Sequence, residues 1–112
     1  MPLVRLFVQK TLTKAVPLPA LQASLCGIWG TTPKTTKLLL STVDDWTDEF
    51  GEDVYVSVRL KGTPERTRAA VLAKCEAVRD AFAAEGLVAN LRLETYVGES
   101  FFHVPPASSS SS

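Results

Sequence analysis

Cysteine is scarce in this chain: Cys26 and Cys75 are the only two, and neither belongs to a Cys-x-x-Cys pair. A single histidine, His103, stands alone near the C-terminus. These residues are too few and too scattered for a disulfide framework or a zinc site, and they fit a reducing compartment. Both cysteines fall on the apolar side of an expected helix, so both are read as core packing. Net charge is missing too, because twelve Lys and Arg balance twelve Asp and Glu. No global field is left to hold nucleic acid or an anionic membrane. Long apolar runs are also absent. The uncharged stretch 15–33 contains Pro17, Pro19, Gly27, Gly30 and Pro33, which excludes a membrane span.

Acidic residues are absent from one region and crowded into the next. Residues 1–43 carry Arg5, Lys10, Lys14, Lys34 and Lys37 and no acid, and residues 44–53 then bring Asp44, Asp45, Asp48, Glu49, Glu52 and Asp53. A basic, acid-free N-terminus imitates a targeting peptide. Here it reads as part of the domain, because 3–9 and 18–29 look like packed elements. The acidic run lacks the ligand offsets of a calcium loop and reads as a solvated loop. The expected location is cytoplasmic, with non-classical secretion as an open possibility.

What is present is an ordinary globular composition, 46% hydrophobic and 21% charged. A chain of 112 residues makes one domain that buries roughly two-thirds of its unfolded surface. The expectation is a single domain over 1–104. The remainder, 105–112, is Pro-Pro-Ala and five serines, which bury nothing and should be disordered.

The chain reads as strand, helix, strand, twice over. Leu3 to Gln9 is the first strand. Pro17 and Pro19 set a helix start, where a missing N–H costs nothing. Leu18, Leu21, Leu25 and Ile28 recur at helical spacing, Gly30 is the stop, and Lys37 to Val43 is a second strand. In the second half Val54, Val56, Val58 and Leu60 alternate with Tyr55, Ser57 and Arg59, the period of a strand with one buried face. Thr63-Pro64-Glu65 predicts a helix start. Val71, Cys75, Val78 and Phe82 continue down one face to Gly86, and a fourth strand through Leu91 and Leu93 ends near Tyr96.

Two such units with right-handed crossovers, related by a pseudo-twofold, give a two-layer α/β (α+β) fold. Its four-stranded mixed sheet carries both helices on one face. The other face displays Arg5, Phe7, Tyr55, Ser57, Arg59, Arg92 and Glu94, too aromatic for open exposure, which predicts an oligomer.

The order of several short signals resembles the tautomerase superfamily. The macrophage migration inhibitory factor and 5-carboxymethyl-2-hydroxymuconate isomerase groups are the most similar. The signals are Met-Pro at the start, Val16-Pro17 before the first helix, Lys34 before strand two, Phe50-Gly51, Gly62 closing strand three and Tyr96 ending strand four. The likeness runs from Pro2 to about His103. It implies a homotrimer, no cofactor and a small enol or keto-acid substrate. It also implies a keto–enol tautomerase in which Pro2, freed of Met1, is the general base. On the same resemblance Lys34 grips an anionic substrate, the backbone N–H near Lys61 is a main-chain donor, and Tyr96 is a pocket tyrosine supplied by a neighbouring subunit. The sequence departs from the inhibitory-factor pattern at Tyr55-Val56-Ser57, where a Cys-x-x-Cys is missing, and at Leu38 and Gly98, which alter the pocket rim. His103 reads as a tail residue with no catalytic part. The alternative expectation is a cytokine-like binding protein on the same trimeric scaffold.

Overall fold

The computed structural model describes residues 2–107. Its elements run in chain order as β1 (Leu3–Gln9), α1 (Leu18–Trp29), β2 (Lys37–Val43), β3 (Val54–Lys61), α2 (Arg68–Ala84) and β4 (Ala89–Tyr96). A short 3-10 turn, Gly98–Ser100, follows β4. The four strands form one sheet in the order β2-β1-β3-β4. β1 is parallel to β2 and antiparallel to β3, and β3 is parallel to β4. The sheet is therefore mixed, and its two halves are the two β-α-β units.

Strand parity decides which face each side chain joins. Val4, Leu6 and Val8 on β1 and Val54, Val56, Val58 and Leu60 on β3 are buried, and they meet Leu21, Leu25 and Trp29 of α1 and Val78 and Phe82 of α2. Both helices thus cover one face. The opposite face carries Phe7 and Tyr55 half-buried, with ring centroids 6.1 Å apart. The Arg92 guanidinium lies 5.8 Å from the centroid of the Tyr55 ring.

Two local expectations need correction. First, α2 begins at Arg68, one turn later than the Thr63-Pro64 signal suggests. Residues 63–66 close a turn in which the Arg66 N–H donates to the Thr63 carbonyl, and the Arg66 side chain donates to the Lys61 carbonyl. Thr67 is the cap instead, its hydroxyl accepting from the Ala70 N–H at 3.2 Å. Second, Cys26 and Cys75 are half-buried and stand outside the core cluster. Burial, with the Glu76 carboxylate second, pushes the Cys75 thiol up from its ordinary value, so it is not a thiolate nucleophile near neutrality. The acidic run is the exposed loop expected, and several of its carboxylates are hydrogen-bonded. Asp45 accepts from Gln9 at 2.8 Å, Glu49 from Arg92 and Asn90 at 3.2 Å, and Asp53 from Lys14 at 2.8 Å and from the Val88 N–H at 2.9 Å. For Asp53, burial raises the carboxyl's pKa, but the Lys14 ammonium and the Val88 N–H together outweigh it and hold the group below the usual range. The expected tail disorder at Ser108 to Ser112 lies outside the described residues. Among the described residues no helix is long and apolar enough to cross a membrane.

The loop between α1 and β2 is fixed by polar contacts. Gly30 takes φ 65°, a left-handed value that suits glycine, and its N–H caps the Cys26 carbonyl. Thr36 is fully buried, hydrogen-bonded to the Thr31 hydroxyl, and its carbonyl accepts from Gln22 at 2.9 Å. β2 consequently starts at a defined place beside the start of β1.

Candidate active site

The first residue of interest is fixed by the sheet. Pro2 is buried at the head of β1, and its carbonyl accepts the Lys37 N–H at 3.4 Å. A proline is tolerated there because its missing N–H falls before the ladder begins. The strand that follows is held on both sides, so the position of Pro2 is set by the sheet's own register.

The register also lines up a row of side chains on the open face. Leu3 is paired with Lys37 on one side and with Arg59 on the other, and Arg59 is paired with Glu94. The Arg59 Nε donates to the Glu94 carboxylate at 3.2 Å, and its guanidinium lies 5.7 Å from the Tyr96 ring centroid. The chain then turns through Gly98–Ser100, so that Phe101 stacks on Tyr96 at 4.5 Å and His103 comes back over the sheet. Together Leu3, Lys37, Arg59, Tyr96, Phe101 and His103 line a cavity of about 210 Å³. Among the described residues Lys37 forms no ion pair, whereas Arg59 spends part of its charge on Glu94. A cation, an apolar floor and a phenol donor suit a small carboxylate with an unsaturated or aromatic body.

The candidates taken from the sequence divide into two groups. Tyr96 lines this cavity, and Pro2 is joined to it through Leu3 and Lys37. Lys34 is exposed in the turn before β2 and does not line it. Lys61 closes β3 opposite Tyr96, with an exposed side chain that runs over Gly98; a Cβ there would meet the Lys61 Cε at 2.5 Å. The neighbouring Gly62 N–H is spent on the Tyr96 carbonyl at 2.8 Å. Lys37, Arg59 and His103 are the residues sequence reasoning missed as site residues. The strand parity that put Arg59 on the open face was a usable signal. The β1–β2 register that places Lys37 in the same row was not visible in one strand alone.

The acids tied up by Gln9, Asn90 and Arg92 lie at the far end of this face, beside Phe7, Trp46 and Tyr55. Lys37 and Arg59 against Glu94 at the Pro2 end, and Asp45, Glu49 and Glu52 against Arg92 at the other, give the two ends of the face opposite charge excess. An anionic ligand is favoured at the Pro2 end.

This fold is the one shared by the tautomerase superfamily: duplicated β-α-β units, a four-stranded mixed sheet and two helices on one face. No protein-family model matches the sequence, and no curated protein resembles it at significant similarity. The likeness lies in structure. A malonate semialdehyde decarboxylase is 12% identical, with a TM-score of 0.68 over 92% of this chain and 91% of its own. A fused 4-OT solved as an asymmetric trimer is 11% identical, with a TM-score of 0.70 over 90% and 91%. The macrophage migration inhibitory factor of Toxoplasma gondii is 10% identical, with a TM-score of 0.54 over 90% and 95%.

Proposed function

We propose that this chain is a keto–enol tautomerase that uses the amine of Pro2 as general base on a small enolic or α-keto acid. The observation that carries the reading is the burial of Pro2 at the head of β1, one residue before Leu3, which lines a cavity with Lys37, Arg59 and Tyr96. The reaction moves one proton between carbon and oxygen, which needs a base whose pKa lies near the working pH. A free prolyl amine is too basic. The reading requires burial and a neighbouring cation to disfavour its protonated form and lower its pKa. Met1, whose removal exposes the amine, lies outside the described residues. Its removal is expected because the following residue is small.

In this reading the Lys37 ammonium takes the substrate carboxylate, with Arg59 behind it. The Tyr96 hydroxyl stabilises charge developing on the enolate oxygen. Support for carboxylated substrates also comes from the structural neighbours. One was solved as a wild type, a mutant with alanine for its first-position proline, and an inactivated form, in a study of decarboxylase and hydratase activities. Another was inactivated by 2-oxo-3-pentynoate. A third belongs to a cis-3-chloroacrylic acid dehalogenase family.

The test separates two lysines three residues apart. Measured on the plateau above the rising limb, Lys37→Ala should raise KM for an enolic α-keto acid about tenfold, the size of one charge-assisted hydrogen bond at a partly open site, and leave a neutral enol unaffected. Lys34→Ala should change neither by more than about twofold, as for an exposed solvated charge. The reverse pattern in steady-state kinetics would return the anion-gripping role to Lys34.

The assembly proposed with this activity is a homotrimer. It rests on fused 4-OT neighbours solved as trimers and on the half-buried rings of the open face, where Leu39 is also 40% exposed. Light scattering should return three chains per particle, and a stable monomer across a wide concentration range would contradict it.

A further inference from the structure

The helical side of the sheet carries a cavity lined in part by Trp29, whose indole N–H is an unsatisfied donor. Trp29, the last residue of α1, is 5% exposed, yet its indole N–H has no hydrogen-bond partner among the described residues. Native structures retain few such groups, because the N–H has lost water without gaining an acceptor. Trp29 lines a cavity of about 270 Å³ between the end of α1 and the start of α2, together with Thr63, Glu65, Arg66 and Lys74. Donors dominate this wall. The Lys74 ammonium sits 5.5 Å from the centroid of the indole ring. Arg66 is held by one nitrogen on the Lys61 carbonyl, which leaves the rest of its guanidinium fork to face a ligand.

Neither an ammonium nor a guanidinium accepts a hydrogen bond. The cations around Trp29 therefore cannot satisfy it, and they favour an anion that can. Among the described residues Glu65 is the one carboxylate on the wall, exposed and outnumbered by the two cations. The first turn of α2 adds the positive end of its dipole. Its Ala70 and Val71 N–H groups are already taken by Thr67, so the helix supplies field and no donors from those positions.

We propose that this cavity binds a small oxyanion of the phosphate class, its oxygens accepting from the Trp29 indole while Lys74 and Arg66 balance its charge. Phosphate is favoured over a carboxylate because it offers acceptors in several directions. The three donors here come from three separate segments: α1, the 63–66 turn and α2. The site is distinct from the Pro2 cavity and stands independently of the tautomerase reading.

Inorganic phosphate is titrated into the full chain labelled with ¹⁵N-tryptophan, ionic strength being held constant with chloride. The readout is the pair of indole N–H resonances, assigned with Trp46→Phe. The Trp29 resonance should move downfield and saturate while that of Trp46 stays, and acetate should need at least about tenfold more. Lys74→Met and Arg66→Gln should each weaken phosphate about tenfold, and Glu65→Gln should tighten it by removing the opposing charge. Lys74→Met should leave enol turnover unchanged, so the two readings fail separately. No movement of the Trp29 signal, an unsaturating drift shared by both indoles, or unchanged titration in Lys74→Met and Arg66→Gln overturns the proposal. Weaker phosphate binding in Glu65→Gln would contradict the opposing charge assigned to Glu65 and overturn it as well.

Discussion

Inserting one alanine between Met1 and Pro2 should lower the ketonisation rate by roughly 10²–10⁴, the range supplied by one positioned general base, and leave assembly and thermal stability close to the parent's. The reasoning is positional. Pro2 precedes a strand whose Val4, Leu6 and Val8 are buried and whose backbone is held by β2 and β3. The insertion leaves that strand in place and converts the amine of Pro2 into an amide with no basic lone pair. Pro2→Gly is the graded companion, since glycine keeps an amine but loses the ring and its basicity, and it should lose most of the activity. Steady-state rates on enolic phenylpyruvate, with the intact mass of each variant, check both. Parent rates in both variants would reduce Pro2 to a strand starter and leave the binding-protein reading in its place.

Phe82→Ala should cost about 3–5 kcal/mol of folding stability, the usual range for emptying a buried aromatic site. Phe82 is fully buried among both helices and the sheet, and among the described residues it is the largest of the fully buried side chains. A domain of this size holds only about 5–15 kcal/mol in total, so the variant should be close to unfolding at body temperature. The contrast is Leu72 on the same helix, which is 57% exposed. Leu72→Ala should stay within about 0.5 kcal/mol of the parent. Denaturant midpoints at equal slope decide the pair. A loss below about 1 kcal/mol for Phe82→Ala would mean that α2 does not seat on the sheet as described.

The fold was legible because its signals were periodic. Val54, Val56, Val58 and Leu60 alternate cleanly, and parity alone put Arg59 and Tyr55 on the open face and the valines beneath the helices. Leu21, Leu25 and Trp29 recur on one side of α1, and Gly30 ends it in the left-handed conformation that residue suits. The start of α2 was misplaced because Thr63-Pro64 and Thr67 both carry capping chemistry. The Arg66 side chain resolves the choice by bonding back to the Lys61 carbonyl, a contact no local propensity encodes. Cys75 was misjudged because helical spacing points it toward the core, while the gap between α2 and β4 leaves it half-buried.

The candidate site was legible only in part. Pro2 and Tyr96 end strands, and strand ends can be read from sequence. Lys37 depends on the register between two parallel strands, and nothing in either strand fixes it. His103 depends on how the chain turns after Gly98, where Phe101 stacks back on Tyr96. The resemblance that singled out Lys34 works by order along the chain, and order does not distinguish a loop lysine from a strand lysine three residues on.

The central claim is that a buried N-terminal proline beside Lys37 and Arg59 acts as a base near neutral pH. The pH dependence of kcat/KM for enolic phenylpyruvate, measured on protein whose mass shows Met1 removed, tests it most directly. The account predicts a single rising limb with an apparent pKa well below that of a free prolyl amine, moving upward in Lys37→Ala as the neighbouring positive charge is lost. Turnover no faster than buffer, or a rising limb at the ordinary prolyl value that Lys37→Ala leaves in place, would contradict it.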